Sequence, residues 1–239
     1  MAHQRRHGPD GAIEFLGLTH ASRVLDLGCG TGADLTRLDE TSGHAVGVDR
    51  AFTMVDAVRH GSDSALVNAD AVALPFRDDS FDACWARAVL IHVPDPPHAL
   101  GELARVTRPS GRIVLSEPDH GSHVVASDCP DIFERIKVHR RQQFRNPLIG
   151  RDLPRLASAA GFDVVDTRIT PVLFRSLSKA MSAGGPFGVA VEGAVAAGAI
   201  SAAEAERYES SIAELDERGA FFFAGLAVSV SAVAPAPSM

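Results

Sequence analysis

The chain is poor in the residues that would mark it as secreted, membrane-spanning or nucleic-acid-binding. Only three of its 239 residues are cysteine: Cys29, Cys84 and Cys129. So odd and sparse a set offers neither a disulfide framework nor a metal-ligand spacing, and points to a reducing cytoplasm. No apolar run reaches the roughly 18 residues that cross a bilayer. Met1 to Pro9 is polar and basic with no apolar stretch behind it, which argues against a secretory signal. Lys and Arg form no dense cluster, and 23 basic against 30 acidic residues leave a formal net charge of −7. No general attraction to nucleic acid is expected from that balance. Internal repeats and interdomain linkers are absent. Apolar residues, in contrast, make up 46% of the chain, enough for a sizeable core in one large domain.

Strand-like and helix-like segments alternate from residue 23 onward. Ahead of them, Ala12 to Leu18 is a short apolar stretch expected to be a helix. Arg23–Leu27, Ala45–Val48, Ala65–Val67, Phe81–Trp85 and Gly111–Ser116 are short buried-type runs bounded by turn residues, hence strands. Ala33–Asp39, Ala51–Arg59 and Ala99–Arg105 are helical between them, the last with Leu100, Leu103 and Ala104 on one side. Such alternation means βαβ units around a mostly parallel sheet. Glu117-Pro118 is expected to end the fifth strand. Val164–Ile169 is a sixth strand, and Phe221–Val233 contains a seventh. The long segments between them carry helical patterning at Ile132–Phe144 and Ser201–Arg218, so they are inserts rather than bare loops. The Pro- and Ala-rich tail from Ala232 to Met239 is expected to fray.

Val24-Leu-Asp-Leu-Gly-Cys-Gly-Thr-Gly32 runs from the first strand through Gly28, Gly30 and Gly32 into a helix. Glycine lets the backbone turn tightly and approach a ligand closely. The helix N-terminus beyond it favours an anion. On this pattern alone two cofactors fit. Gly28, Gly30 and Ala33 satisfy the dinucleotide fingerprint G-x-G-x-x-G/A, and Asp49 stands at a ribose ligand's distance along the chain, as in a nicotinamide-dependent dehydrogenase. Asp26 argues the other way, because a carboxylate at the strand end attracts an ammonium group and repels a pyrophosphate. A further acidic residue follows the third strand, in Asn68-Ala-Asp70-Ala71, where it can accept from an exocyclic amine such as that of adenine. Leu74-Pro-Phe76 then leads into Asp79-Ser-Phe81-Asp82 and the fourth strand.

In that order these residues resemble the class I S-adenosylmethionine-dependent methyltransferases, in the broad group that includes the ubiquinone and menaquinone C-methyltransferases. The resemblance spans about residues 20 to 120. It implies an α/β, Rossmann-like fold: a seven-stranded, mostly parallel sheet of order 3-2-1-4-5-7-6, the seventh strand antiparallel, with helices on both faces. It implies S-adenosyl-L-methionine as cofactor. Asp26, Gly28, Gly30 and Thr31 would surround the methionine moiety, with Cys29 and Gly32 in the same loop. Asp49 would take the ribose hydroxyls, with Arg50 beside it. Asp70 and Ala71 would flank the adenine, and Arg87 and Ala88 would line the methionine and sulfonium. One domain would cover 1–239, with a cofactor core at about 20–120 and cap-forming helical inserts at about 121–160 and 172–219. The alternative account of Asp49 is a helix N-terminal carboxylate, and of Asp70 a turn or cap residue.

The expected activity is methyl transfer to a small organic acceptor such as a phenol, a quinone-like ring or another specialised metabolite. A sulfonium methyl has a good leaving group, so proximity and orientation carry most of the rate. A base is needed only for a protonated acceptor. His92, in Ala88-Val-Leu-Ile-His92-Val-Pro94 beyond the fourth strand, is the first candidate; its alternative is a histidine packed against apolar neighbours. His120, in Glu117-Pro-Asp119-His120, is the second, with a solvated loop the favoured account of it and of Asp119. Lys137 to Arg141, with Arg145, is the wet face of an amphipathic helix before it is an anion site. Phe221-Phe-Phe223 is strand core, and Phe174 and Phe187 suit an apolar or aromatic acceptor. Two other functions stay open on the residues. One is a methyltransferase fold using its pocket for cyclisation or regulation. The other is the dehydrogenase, against which stand Asp26, Asp70 and the lack of a Ser-Tyr-Lys set, Tyr208 being the one tyrosine. A nucleic-acid substrate is disfavoured by charge and by Trp85-Ala-Arg-Ala, where an Asn-Pro-Pro-aromatic motif would stand. No metal is expected. The expected partner is a small-molecule substrate, with no nucleic acid and no membrane span; homo-oligomerisation is left open.

Overall fold

The computed structural model of the chain describes residues 9–51 and 65–236. The helix expected over Ala51–Arg59 lies, from residue 52 on, outside the described residues. Strands β1 (Arg23–Leu27), β2 (His44–Asp49), β3 (Ala65–Asn68), β4 (Phe81–Arg87), β5 (Thr107–Val125), β6 (Asp163–Phe174) and β7 (Phe223–Val233) form one sheet. Its order is β3-β2-β1-β4-β5-β7-β6. β1 to β5 pair in parallel. β7 runs against β5: the Ser110 N–H reaches the Ala234 carbonyl at 3.1 Å, while further along β5 Ser116 meets Ser229 at 2.9 Å. Both the order and the reversed seventh strand are those implied by the sequence.

The helices are α1 (Ala33–Ser42), α2 (Pro96–Val106), α3 (Pro130–Arg141), α4 (Ile149–Ala159), α5 (Leu177–Ser182), α6 (Val189–Ala196) and α7 (Ala202–Glu217). The first apolar stretch is a 3-10 helix, Pro9–Leu16, rather than an α-helix; Gly17 follows it in the left-handed region at φ 60. Among the described residues no helix is long and apolar enough to cross a membrane. The chain divides into two compact units. The first holds Met1–Glu117, Ile149–Thr170 and Val228–Met239; the second holds Pro118–Leu148 and Pro171–Ala227. Most of both expected inserts falls in the second unit. α4 belongs to the first, where Leu153, Leu156 and Ala157 are buried and the helix packs on α2.

In the first unit β1 is paired on both sides, and Val24, Leu25 and Leu27 are buried accordingly. Leu35 and Leu38, one helical turn apart on α1, join Val24, Ala45, Trp85 and Val114 in one core cluster. Each such leucine contributes about 1.5–3 kcal/mol by leaving water. α1 stops where Gly43 takes φ 71 and turns its N–H back to the Asp39 carbonyl at 2.7 Å. α2 starts on Asp95, whose carboxylate accepts from the His98 N–H at 3.1 Å, with Pro96 in the first turn. At its far end Arg105 donates to the carbonyls of Leu74 and Phe76 at 3.0 and 2.7 Å, and Glu102 accepts from the Leu74 N–H at 2.7 Å. The loop that follows β3 is thereby fastened to α2.

The core of the second unit gathers Ile132, Phe133 and Ile136 of α3, Val191 and Ala194 of α6, Tyr208 and Ile212 of α7, and Phe221 and Phe223. Phe222 between them is exposed, which is the strand alternation expected of that run. Phe187, expected to suit an acceptor, is instead committed to this core, against Tyr208, Phe221 and Phe223. Phe174 stacks on Phe223 at 6.2 Å. Three other expectations fail here or at the tail, two of them because β5 runs on where Pro118 was read as a stop. Proline forfeits only its own donor, and β5 passes Pro118 to reach Val125, with the Ala126 N–H still bonded to the Phe222 carbonyl at 3.0 Å. Asp119 and His120 are therefore not in a solvated loop. Asp119 is buried and accepts from the Gly121 N–H at 2.8 Å, and the His120 ring lies flat on Phe144, 4.2 Å between centroids. Likewise Ala232 and Ala234 are buried rather than frayed, the Ala234 N–H donating to the Gly111 carbonyl at 2.8 Å.

Candidate active site

β1, β2, β3 and β4 end side by side, Leu27 opposite Val48 and Ala86, and Asp49 opposite Asn68. The turns leaving this edge are where an open parallel sheet binds ligands. In the first turn Gly28, Gly30 and Gly32 have φ of 69, 50 and 80, a region that costs an L-residue roughly 1–2 kcal/mol. The N–H groups of Gly28 and Cys29 both donate to the Val48 carbonyl, at 2.7 and 3.0 Å. Gly28 also leaves room for a neighbour: a Cβ there would stand 2.3 Å from Val89 Cγ2. Burial, with Asp26 and Asp49 near it, pushes the Cys29 thiol up to about 12, so it stays protonated and unreactive. Thr31 and Arg50 are exposed at the rim.

Asp26 is the one carboxylate inside β1. It is 2% exposed, and its Oδ2 has no hydrogen-bond partner among the described residues. Burial raises its pKa well above the ordinary range, Asp34 and Asp49 add to the rise, and Arg87 opposes it. Asp34, in the first turn of α1, accepts from Trp85 Nε1 at 3.0 Å and from Arg87 Nε at 2.6 Å. Arg87 thus pairs with Asp34 and bears on Asp26, with Asp49 also near Asp26, an acidic corner that favours an incoming cation and repels a pyrophosphate.

Asp49 closes β2 and braces the glycine loop. Its Oδ2 accepts from the Gly30 N–H at 3.0 Å and its Oδ1 from the Ala51 N–H at 2.8 Å. Each oxygen keeps a lone pair for a further donor. Asn68 ties β3 alongside, Nδ2 donating to the Asp49 carbonyl at 2.9 Å. Asp70 forms a local turn, its Oδ1 accepting from the Val72 N–H at 3.2 Å, next to buried Ala71. The sheet therefore brings Asp26, Asp49 and Asp70 to consecutive strand ends.

After β4 the chain turns at Ala88, which takes the left-handed φ of 54 and donates its N–H to the Ser116 carbonyl at 2.9 Å. Glu117, at the end of the first unit's part of β5, accepts the N–H groups of Val89 and Leu90 at 2.9 and 2.8 Å. Leu90, Ile91 and Val93 are buried, whereas His92 is exposed. His92 is thus not buried among those neighbours. Asp34, Trp85 and Glu117 were not anticipated. The signals available were faint: a single tryptophan, a carboxylate in a first helical turn, and a glutamate read as the end of a strand.

Residues 25–115 match the family model described as a methyltransferase domain. A demethylmenaquinone methyltransferase of Clavibacter sepedonicus is 42% identical over 99 residues, 40% of each chain. Residues 25–115 thus carry the methyltransferase domain of this resemblance. An uncharacterised protein of transposon TN4556 from Streptomyces fradiae extends the similarity, at 36% identity over 225 residues, 89% of this chain and 62% of that one. The chain thus spans less than two thirds of the length of these relatives. In fold it is similar to the YcgJ protein of Bacillus subtilis, with a TM-score of 0.67 at 20% identity over 98% and 100% of the two chains. It is also similar to an S-adenosylmethionine-dependent methyltransferase of Mesorhizobium loti, with a TM-score of 0.56 at 17% identity over 93% and 95%. The family's cofactor is S-adenosyl-L-methionine, and the residues present fit it. Asp26 offers a buried oxygen with no hydrogen-bond partner among the described residues, in an acidic corner suited to a group that bears ammonium and sulfonium charges.

Proposed function

We propose that this chain transfers the methyl group of S-adenosyl-L-methionine to a small organic acceptor, with the cofactor held at the ends of β1 to β4. The observation that carries this reading is the acidic corner of Asp26, Asp34 and Asp49 under a glycine loop held by Asp49. In this reading Asp26 faces the ammonium end, and Gly28, Cys29, Gly30, Thr31 and Gly32 wrap the methionine moiety. Asp49 accepts from the ribose hydroxyls, with Arg50 at the rim. Asp70 and Ala71 bound the adenine, and Arg87, fixed by Asp34, limits the methionine side. When bound, the cofactor supplies an electrophilic methyl on a sulfur leaving group; the chain's part is to orient it, exclude water and, for a protonated acceptor, remove a proton. His92, exposed on the turn after β4, is the group placed for that proton. The second unit, with its own core and a sequence unlike a bare loop, is assigned the choice of acceptor.

Calorimetry with S-adenosylhomocysteine and with a nicotinamide dinucleotide tests the reading directly. Micromolar binding of the first, about −8 kcal/mol, and none of the second is the expected result; the reverse would overturn it. A screen of phenolic and quinone-like acceptors with labelled cofactor then identifies the substrate class. Within the same assay Asp49→Ala is expected to weaken S-adenosylhomocysteine by about 2 kcal/mol, since charge-assisted hydrogen bonds of this kind contribute roughly 1.5–3 kcal/mol. The variant also frees the Gly30 N–H, so a modest fall in melting temperature should accompany the loss. Unchanged affinity would remove Asp49 from the site.

A further inference from the structure

We infer that Glu117 is a positioning residue for the cofactor loop and acts on it through Val89. Glu117 is 1% exposed, an uncommon place for a carboxylate that meets no cation in its own surroundings. Its bonds are to backbone. Oε1 takes the Val89 and Leu90 N–H groups together, at 2.9 and 2.8 Å, the Ile91 N–H also bears on the carboxyl, and Oε2 is buried with no hydrogen-bond partner among the described residues. Those two amides lie just past the end of β4, where the sheet ladder no longer satisfies them. A carboxyl oxygen has two lone pairs and can accept both at once, whether or not the other oxygen carries a proton.

The turn so fixed has a defined load. Ala88 enters it in a left-handed conformation, its N–H bonded to the Ser116 carbonyl one residue before Glu117. Val89 then puts its isopropyl group on the face of Gly28 where a side chain would otherwise stand: Cγ2 and Cγ1 are 2.3 and 3.0 Å from an ideal Cβ there. Gly28 is thus closed over by Val89, and Val89 is held by Glu117. Asp49 braces the same loop from β2 through the Gly30 N–H. The loop is clamped from both flanking strands, and only the Asp49 side was legible in the motif. The same turn carries His92, whose N–H donates to the Val89 carbonyl at 2.9 Å. One buried carboxylate therefore sets the place of the cofactor loop and of the exposed imidazole.

The inference rests on the proposed cofactor for its binding readout, and a second readout stands free of it. Glu117→Ala, Glu117→Gln and Val89→Ala are compared with the wild-type chain. S-adenosylhomocysteine affinity is measured by calorimetry, and amide hydrogen exchange is followed at residues 89 and 90 without ligand. Glu117→Ala is expected to weaken binding at least tenfold and to speed exchange of both amides. Glu117→Gln keeps an accepting oxygen and should rescue affinity to within about threefold of wild type, a pattern that simple loss of stability does not produce. Val89→Ala leaves every bond to Glu117 in place and should weaken binding at least fivefold with normal exchange protection, so it decides the matter even if Glu117→Ala does not fold. Folded Glu117→Ala or Val89→Ala protein with affinity within twofold of wild type would overturn the inference, as would a Gln variant no better than Ala. If the wild-type chain binds no S-adenosylhomocysteine, the proposed function fails instead, and unchanged exchange in Glu117→Ala would separately refute the hold on the turn.

Discussion

His92→Ala is expected to fold, to bind S-adenosylhomocysteine as the wild-type chain does, and to lose about 100- to 10,000-fold in turnover on an acceptor that must shed a proton. The structural basis is the division of labour in the turn after β4. Leu90, Ile91 and Val93 supply its buried contacts, and the His92 N–H, not its ring, makes the bond to Val89. Truncating the side chain leaves that backbone bond and those buried neighbours in place, and surface replacements usually change stability by less than about 0.5 kcal/mol. His92→Gln should share the rate loss while preserving a hydrogen-bonding side chain. Single-turnover rates with labelled S-adenosylmethionine, beside melting curves, separate the outcomes. A folded variant with near-normal rate would take His92 out of the reaction and leave orientation alone as the source of rate.

Glu117→Gln should also change how stability depends on pH. Burial pushes the Glu117 carboxyl from 4.5 up to about 7, with the backbone N–H groups pulling the other way. The folded chain holds a proton there that the unfolded chain releases. Stability is thus greatest below pH 4.5 and falls as pH rises to 7; at about 1.4 kcal/mol per pKa unit the loss is roughly 3 kcal/mol. His123 has the opposite slope. Burial, reinforced by His120 and Lys137 and countered by Asp119, lowers its pKa from 6.5 to about 4. The fold refuses a proton that the unfolded chain accepts, so stability falls as pH drops from 6.5 toward 4. In the wild-type chain the two slopes offset one another over pH 4.5 to 6.5. Of these two slopes the Gln variant keeps the histidine one alone. Denaturant unfolding at pH 4.5 and 7.5 should show the variant gaining roughly 3 kcal/mol on the wild type between the two. Parallel profiles would mean that Glu117 ionises as an ordinary carboxyl.

The first half of the fold was legible because each strand is a short apolar run with a turn signal at its end, and because β1 carries its ligand loop in contiguous residues. Asp26, Gly28, Asp49 and Asp70 could be placed together because each lies at or just past a strand end, and parallel strands of one sheet end at one edge. The second half resisted for physical reasons. α4 contains Pro154, which interrupts a helical pattern, and no helix was read there although Leu153 and Leu156 are buried. Pro118 looked like a terminus, yet a strand tolerates the loss of one donor when its neighbour still supplies the rest. Glu117 and Asp34 were invisible because their roles come from partners distant in sequence: the amides of Val89 and Leu90 for one, the indole and guanidinium of Trp85 and Arg87 for the other. No local pattern encodes such pairings. Phe187 shows the converse error, an aromatic side chain credited to a ligand when the unit's own core claims it.

Trp85 is the single tryptophan of the chain and is fully shielded from water. Its indole N–H points to Asp34, and its backbone stands opposite Asp26 in the β1–β4 register. The protein thus carries a native fluorophore whose emission originates beneath the proposed cofactor site. Charge arriving near Asp26 and Asp34 alters the electric field across that indole, so ligand occupancy becomes an optical signal in unlabelled protein. Stopped-flow recording of that emission can time the loading step separately from the transfer that follows, before any acceptor has been identified.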